Sequence, residues 1–174
     1  MLGLRKMREF AGLSALQFRN IAPRGKRHKL LAVSSGGGHW IQLLRVSAAF
    51  DNCEVTFVTT HDSYRSQVDG CRFWTVNDSN LSSKLALAKT AAQLVRIIWA
   101  ERPDVVISTG AAPGYFALRL ARLIGAQTIW LDSIANVEKL SVSGSRIGRY
   151  ADLWLTQWPH LARPKGPHYV GSVL

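Results

Sequence analysis

Short apolar runs alternate along this chain with longer stretches in which apolar residues recur at helical spacing. The runs predict β-strands over residues 30–34, 54–60, 73–76, 104–108, 128–131 and 153–156. The 104–108 run has an unbroken apolar centre, Val105 to Ile107, which is typical of a strand buried on both faces. Strands that alternate with helices pair in parallel, so the pattern predicts an α/β domain with a Rossmann-like parallel sheet and helices on both faces.

The helices between these strands are expected over residues 40–50, over 81–100, and from 114 to 124. The 81–100 helix carries an apolar stripe on one face, formed by Leu85, Ala88, Ala92, Val95 and Trp99. Such a stripe either faces the core or docks a partner protein, and the pattern alone leaves both open. The C-terminal tail is a second candidate for partner docking.

Length and composition favour a single domain. The chain has 174 residues and is 47% hydrophobic, enough for one core without disulfides. Cys53 and Cys71 lack metal-ligand spacing and are expected as reduced, half-buried thiols. The sequence predicts no metal site and no cofactor. No apolar run of about 18 residues is present, so no transmembrane helix is expected.

The net charge of +11 is concentrated at one end, because residues 1–29 carry +7 of it. Apolar residues from Leu4 to Ile21 share one helical face, which predicts a basic amphipathic membrane-associating segment over 1–28 and a domain over 29–174. The residues expected at an anionic membrane surface are Arg5, Arg8, Phe10, Phe18, Arg19, Lys26 and Arg27. The alternative is a helix docked on the protein itself or on a partner.

A glycine-rich turn follows the first strand and opens a helix. It comprises Ser35, Gly36, Gly37 and Gly38. Amide groups at a helix N-terminus bind anions, so the turn predicts a phosphate or pyrophosphate site. The second strand ends in Val58-Thr59-Thr60-His61 without the carboxylate that a dinucleotide ribose normally requires, which disfavours NAD. The alternative is a turn needed only for tight strand–helix packing.

His39 comes directly after these glycines, where it is predicted to contact a phosphate or take a proton from an acceptor hydroxyl. Helix capping or simple packing is the alternative role for this side chain.

Two further loops leave the carboxyl ends of predicted strands and are expected beside the glycine turn. The first, over 108–114, contains Gly110 and Gly114. The second, over 131–138, contains Asp132, Asn136 and Glu138, which are candidates for binding a sugar hydroxyl or acting as a base. Helix capping explains the same carboxylates equally well at this stage.

The ordered set of the SSGGGH turn, residues 101–133 and residues 146–161 resembles the acceptor-side subunit of split GT-B glycosyltransferases. That family includes the anchoring half of the dolichol-pathway N-acetylglucosaminyltransferase and the PssD/CpsF-type exopolysaccharide proteins. The resemblance covers roughly residues 29–174 and implies the N-terminal half of a GT-B fold. Where relatives often have Glu-Ser, this chain has Asp132-Ser133.

The resemblance implies a subunit that is active only with a partner. The catalytic partner, a GT-B C-terminal-type subunit, would hold most of the UDP-sugar. This chain would bind a polyprenyl-diphosphate-linked saccharide at the cytoplasmic face of the inner membrane, with the glycine turn and His39 facing the interdomain cleft. The chain ends about where a linker into a second domain would begin.

Two other classes of function remain open. One is a stand-alone nucleotide-sugar-binding Rossmann enzyme. The other is a nucleic-acid-binding module acting through the basic N-terminus, which the absence of aromatic residues among positions 24–29 disfavours. No nucleic-acid partner is therefore expected.

Overall fold

A seven-stranded parallel sheet forms the centre of the protein, and the computed structural model describes residues 27–78 and 83–173. The sheet order is β3-β2-β1-β4-β5-β6-β7, and every neighbouring pair is parallel. The strands are β1 His28–Val33, β2 Cys53–Thr59, β3 Arg72–Thr75, β4 Val105–Ser108, β5 Gln127–Leu131, β6 Leu153–Thr156 and β7 His168–Tyr169. The predicted Rossmann-like α/β class is confirmed.

Among the described residues, four α-helices cover the sheet. They are α1 Gly38–Val46, α2 Lys84–Glu101, α3 Ala111–Leu123 and α4 Val142–Ile147. Strands β2 and β3 are added on one side of β1, and strands β4 to β7 are added on its other side. Because parallel crossovers are right-handed, α1 covers one face while α2, α3 and α4 cover the opposite face.

Alternate residues of the strands point into two separate cores. On the α1 face, Trp40 and Leu43 pack with Leu30 and Ala32 of β1. On the opposite face, helix residues of α2 and α3 pack with Leu31 and Val33 of the same strand. Burial on both faces explains why the central strands are continuous apolar runs.

The structure decides which face of helix α2 is buried. Its buried residues are Thr90, Leu94, Ile97, Ile98 and Glu101. The stripe from Leu85 to Trp99 is exposed at all five positions, so of the two alternatives that the sequence left open, packing in the core is excluded. Both sides of this helix are apolar, and periodicity alone selected the solvent side.

The ends of α1 and α2 also differ from the prediction. Helix α1 stops at Val46 and a 3-10 turn, Ser47–Ala49, completes the expected stretch. Helix α2 begins after Ser83, whose hydroxyl accepts the Ala86 N–H at 3.3 Å and so caps the first turn. Strand β7 was not predicted, because two residues are too few to form a pattern.

Most of the predicted membrane-associating residues, Arg5 to Lys26, lie outside the described residues. Arg27 is described and exposed, and β1 begins directly after it at His28. Within the described ranges, no helix is long and apolar enough to cross a membrane. Both cysteines are free thiols; Cys53 is half-buried, whereas Cys71 is exposed.

Candidate functional site

The loops after β1 and β4 meet at the point where the sheet reverses its winding direction. These strands are neighbours, with Val33 opposite Ser108, so their carboxyl ends open into one crevice. The Thr109 hydroxyl crosses between the loops and donates to the main-chain oxygen of His39 at 2.7 Å. The two loops are thus in direct contact, as predicted from the sequence.

His39 is held between the two loops. Its Nδ1 lies 2.9 Å from the Ser35 hydroxyl. The other side of the ring lies against Gly110, where a Cβ would stand 2.6 Å from Nε2. Gly110 has φ +139, a conformation that L side chains rarely adopt, so glycine is required there both for the backbone and for the imidazole.

Burial lowers the pKa of His39 below its ordinary value of 6.5, and the negative charge of Asp132 opposes that shift in part. The imidazole is therefore neutral at pH 7 and able to accept a proton.

Two amides of the glycine turn already have partners inside the protein. The Gly36 N–H donates to the Thr60 hydroxyl and the Gly37 N–H donates to the Tyr64 hydroxyl, each at 3.1 Å. The Tyr64 ring in turn stacks on Trp40 of α1, with centroids 5.1 Å apart and planes 6° from parallel. Sequence reasoning missed Thr60 and Tyr64, because a hydroxyl across the fold leaves no signal in the chain.

Open space remains on the outer side of the turn. Gly37 and Gly38 are exposed, and a Cβ at either position would meet no atom within 4 Å. Beyond them, the N–H groups of the first turn of α1 carry the partial positive charge of a helix N-terminus. Among the glycines of the turn, Gly37 and Gly38 therefore have the open space that an anion would need, beside the N-terminus of α1.

A second histidine flanks the same turn. A Cβ on Gly36 would lie 2.3 Å from Cδ2 and 2.7 Å from Nε2 of His61, so this exposed ring rests directly on the turn. Sequence analysis used His61 only as evidence against a ribose carboxylate and did not count it as a site residue. Its position after β2 was the available signal, because the carboxyl ends of neighbouring strands share one edge.

Gly114 lies in the core and not at the crevice. A Cβ there would come 1.8 Å from the Ser108 hydroxyl oxygen and 3.4 Å from the Trp130 ring. This glycine lets α3 approach β4 and β5 closely. The structure therefore separates Gly114 from Gly110, which does border the crevice.

Asp132 is 1% exposed, and donors of its own loop surround it. Its carboxylate accepts the Ser141 hydroxyl at 2.6 Å, the Ser141 N–H at 2.9 Å and the Trp130 indole N–H at 3.2 Å. The Asn136 amide approaches it at 3.4 Å. Asp132 thus orders the loop by holding Ser141, and Ser141 in turn caps α4 by accepting the Gly144 N–H at 2.8 Å.

Glu138 is exposed and stands apart from the glycine turn. It lines a cavity of about 680 Å³ beside α4 and β6, together with Lys139, Arg146, Trp154 and Arg163. The structure thus does not bring Glu138 together with His39. In residues 27–78 and 83–173 no three His, Cys, Asp or Glu side chains group as metal ligands would.

Two buried glutamine side chains, Gln42 and Gln157, link the elements that border the crevice. Gln42 of α1 accepts from Gln157 at 2.7 Å and from the Ile134 N–H at 3.2 Å, and it donates to the Ser133 hydroxyl at 3.1 Å. Gln157 also donates to the Asp132 main-chain oxygen at 3.0 Å and accepts the Val173 N–H at 2.8 Å. Helix α1, the loop after β5 and the C-terminal segment are thereby joined by two side chains. Gln157 belongs to the motif that carries the family resemblance, but neither glutamine was predicted as a site residue.

A parallel sheet with glycine-bearing loops at its switch point places this protein in the class of Rossmann-like domains found in GT-B enzymes. Acinetobacter baumannii MurG superposes with a TM-score of 0.66 at 15% identity, over 83% of this chain and 45% of that chain. A putative UDP-N-acetylglucosamine 2-epimerase from Listeria monocytogenes gives 0.57 at 14% identity, over 76% of this chain and 40% of its own. The chain thus spans less than half of these structures, and the likeness is one of fold.

The chain belongs to the Alg14-like family of oligosaccharide biosynthesis proteins, whose profile matches residues 56–173. The UDP-N-acetylglucosamine transferase subunit ALG14 of Yarrowia lipolytica is 28% identical over 168 residues, covering 80% of this chain and 78% of that protein. The subunit alg14 of Schizosaccharomyces pombe is 34% identical over 77 residues, covering 41% and 37%. The resemblance stated from the motifs is confirmed. The profile begins within β2, so the glycine turn lies outside the matched region.

Proposed function

We propose that this protein is the acceptor-side subunit of a two-component glycosyltransferase in polysaccharide or lipid-linked oligosaccharide biosynthesis. The observation that carries the proposal is the open edge at the sheet's switch point, where a neutral His39 stands beside the exposed Gly37 and Gly38. The relatives named as subunits of a UDP-N-acetylglucosamine transferase supply the substrate class.

The acceptor in this proposal is a polyprenyl-diphosphate-linked saccharide. Its diphosphate would lie on the outer side of Gly37 and Gly38, because the first-turn amides of α1 favour negative charge there. His61 borders this position and His39 closes it on the Gly110 side. The Thr60 and Tyr64 hydroxyls already accept hydrogen bonds from the turn, and these bonds support its shape before a ligand binds.

Transfer would proceed by attack of an acceptor hydroxyl on the anomeric carbon of the UDP-sugar. The bond from that carbon to the diphosphate breaks and UDP leaves, held mainly by the catalytic C-terminal-type partner. The hydroxyl proton passes to a base, and His39 is suited to take it because burial keeps its imidazole unprotonated. Asp132 would not contact substrate in this scheme, since its carboxylate is buried within its loop.

The proposed location is peripheral, on the cytoplasmic face of the plasma membrane. The basic and apolar pattern of residues 1–28 supports this placement, because such segments bind anionic lipid surfaces. The acceptor supports it independently, since a polyprenyl chain keeps its diphosphate at the headgroup level of a bilayer.

The test is transfer from radiolabelled UDP-N-acetylglucosamine to polyprenyl-diphosphate saccharide, using this chain alone, its catalytic partner alone, and both together. We expect product only from the mixture, and a loss of at least about 100-fold with His39→Gln if the imidazole takes the proton. Product from this chain alone would favour the stand-alone enzyme. Salt-sensitive binding to RNA or DNA, without binding to anionic vesicles, would favour the nucleic-acid module.

A further inference from the structure

His61 lies against the glycine turn because Gly36 has no side chain. A Cβ on Gly36 would stand 2.3 Å from Cδ2 and 2.7 Å from Nε2 of His61. The φ angle of Gly36 lies outside the left-handed region, unlike those of Gly37 and Gly110. The backbone therefore does not require glycine at position 36, and the close approach of the His61 ring does.

The same relationship holds on the other side of the turn, where Gly110 makes room for the ring of His39. Two imidazoles are thus fitted to one edge of the sheet, each against a glycine. They differ in their surroundings, because His39 is partly buried and bonded to Ser35, whereas His61 is exposed. An exposed ring is suited to meet a ligand that arrives from solvent.

Packing holds the His61 ring and leaves its nitrogens available. The ring contacts Tyr64 edge to face, with centroids 5.6 Å apart and planes at 75°. Within residues 27–78 and 83–173, neither ring nitrogen has a hydrogen-bond partner. The neighbouring acid, Asp62, is paired with Arg65 at 2.7 Å and does not occupy the imidazole. His61 therefore has a donor at the turn that the protein itself does not use.

Two buried hydroxyls below the turn also lack partners. Ser34 and Thr59 are fully buried, and in the described part of the chain their hydroxyl oxygens make no hydrogen bond. They stand side by side at the carboxyl ends of β1 and β2, because Val33 pairs with Val58. Strand alternation turns both towards the face that α1 covers. Buried polar groups are rarely left unpaired, so this unused capacity favours a polar ligand at this edge.

We propose that His61 binds the diphosphate of the acceptor, with its Nε2–H donating to a phosphate oxygen on the open side of Gly37 and Gly38. Nε2 is the ring nitrogen that lies next to Gly36, and the first turn of α1 begins two residues further on. The anion would thus be held between a side-chain donor and main-chain donors, and hydrogen bonds to a charged oxygen are strong ones. This inference rests on the proposed function, because it assigns a second binding residue to the same site.

The proposal gives the two histidines different tasks. His61 would contact only the diphosphate, which does not react, so its loss should weaken binding of the acceptor. His39 would take the proton of the attacking hydroxyl, so its loss should slow the chemical step. The two effects are separable as changes in KM and in kcat.

The first experiment titrates the ¹⁵N-labelled full chain with inorganic pyrophosphate and follows the amide resonances of Gly37 and Gly38. These resonances report on the turn, so pyrophosphate bound elsewhere, for example by the basic residues 1–29, does not enter the measurement. We expect shifts that saturate in the wild-type chain. An absence of shifts at both glycines would overturn the proposal.

His61→Phe keeps an aromatic ring against Gly36 and Tyr64 but removes the N–H. The half-saturating concentration of pyrophosphate should therefore rise about 5- to 10-fold. His168→Phe is the matched control, because His168 is an exposed histidine on β7, at the opposite edge of the sheet from β2 and β3, and it should change this concentration less than about twofold. Equal half-saturation of His61→Phe and the wild type would show that the ring only packs on the turn, and would overturn the proposal.

Gly36→Ala tests the contact itself. The added methyl must displace the His61 imidazole, while the backbone at this position permits alanine, so the half-saturating concentration should again rise about 5- to 10-fold. In a chain that already carries His61→Ala, the same methyl meets no ring and should add less than about twofold. An equal loss from Gly36→Ala in both backgrounds would contradict the proposal, because the methyl would then act without His61.

The two-component transfer assay supplies the second readout. His61→Phe should raise KM for the lipid acceptor about 5- to 10-fold and change kcat less than about twofold, whereas His39→Gln should lower kcat. A fall in kcat at unchanged KM for His61→Phe would overturn the binding role. The pyrophosphate titration needs neither the catalytic partner nor turnover, so failure of transfer by the mixture would reject the two-component function and leave the result on His61 standing.

Discussion

The imidazole of His39 rests on Gly110, and only a glycine leaves room for it. A Cβ at position 110 would stand 2.5 Å from Cδ2 and 2.6 Å from Nε2 of that ring. The loop after β4 therefore determines where this imidazole can point.

Gly110→Ala should displace the His39 ring and reduce transfer by the two-component enzyme about 10- to 100-fold. The added methyl clashes with the imidazole, and φ +139 strains any L residue by about 1–3 kcal/mol. Gly125→Ala is the control, since Gly125 also has positive φ but meets no atom within 4 Å. Transfer rate and thermal unfolding are measured for both. Equal losses of activity in the two variants would show that strain alone, and not the His39 contact, is responsible.

The pH dependence of stability should report on His39. Its folded pKa is lowered by burial, so between 6.5 and that lower value the unfolded chain binds a proton that the folded chain does not. Stability contributed by the neutral ring is complete above 6.5 and declines as pH falls through this window. Urea unfolding at a series of pH values should show a smaller decline in His39→Gln. The same lowered pKa should set the acid limb of kcat/KM if His39 is the base; an acid limb unchanged in His39→Gln would exclude that role.

Tyr64→Phe should weaken acceptor binding selectively. It removes the hydroxyl that accepts the Gly37 N–H and keeps the ring stacked on Trp40, so we expect a loss of about 1 kcal/mol in unfolding free energy. The turn loses one of its two supports, and KM for the lipid acceptor should rise severalfold while KM for the UDP-sugar stays unchanged. Tyr169→Phe, which removes a hydroxyl from the partly exposed tyrosine of β7, serves as the control. A parallel rise in both KM values would point to a global change instead.

Gln157→Leu should cost about 2–4 kcal/mol of unfolding free energy. The substitution leaves the Val173 N–H without its acceptor and removes the amide that donates to the Gln42 side-chain oxygen and to the Asp132 main-chain oxygen, and unsatisfied buried groups are costly. Gln93→Leu breaks an exposed bond to the Asn77 N–H and should cost less than about 1 kcal/mol. Chemical denaturation measures both, and a cost for Gln157→Leu no larger than that for Gln93→Leu would contradict a tightly coupled network.

The sheet was predictable because burial on both faces gives a strand an unbroken apolar run, as at Val105–Ser108. The orientation of α2 was not predictable, because apolar residues lie on both sides of this helix: Leu94 and Ile97 on one side, Val95 and Trp99 on the other. Only contact with the sheet decides which side is buried.

Within the site, His39, Gly37 and Gly38 were predictable because a glycine-rich turn between a strand and a helix is visible in the local sequence. Gly114 and Asp132 carried the same marks, yet one lies in the core and the other within its own loop. Tyr64, Gln42 and Gln157 act across separations of 27 to 115 residues, where a single sequence gives no pattern to follow.

The two hydroxyls that hold Gly36 and Gly37 also bear on how a ligand would bind. A loop that first orders on its ligand loses conformational entropy at that moment, and the loss weakens affinity. Here two hydrogen bonds order the turn on folding, because Thr60 and Tyr64 follow the carboxyl end of β2 at the same edge of the sheet. A diphosphate arriving at the turn would meet a rigid receptor, so its affinity should depend on charge and hydration rather than on loop closure.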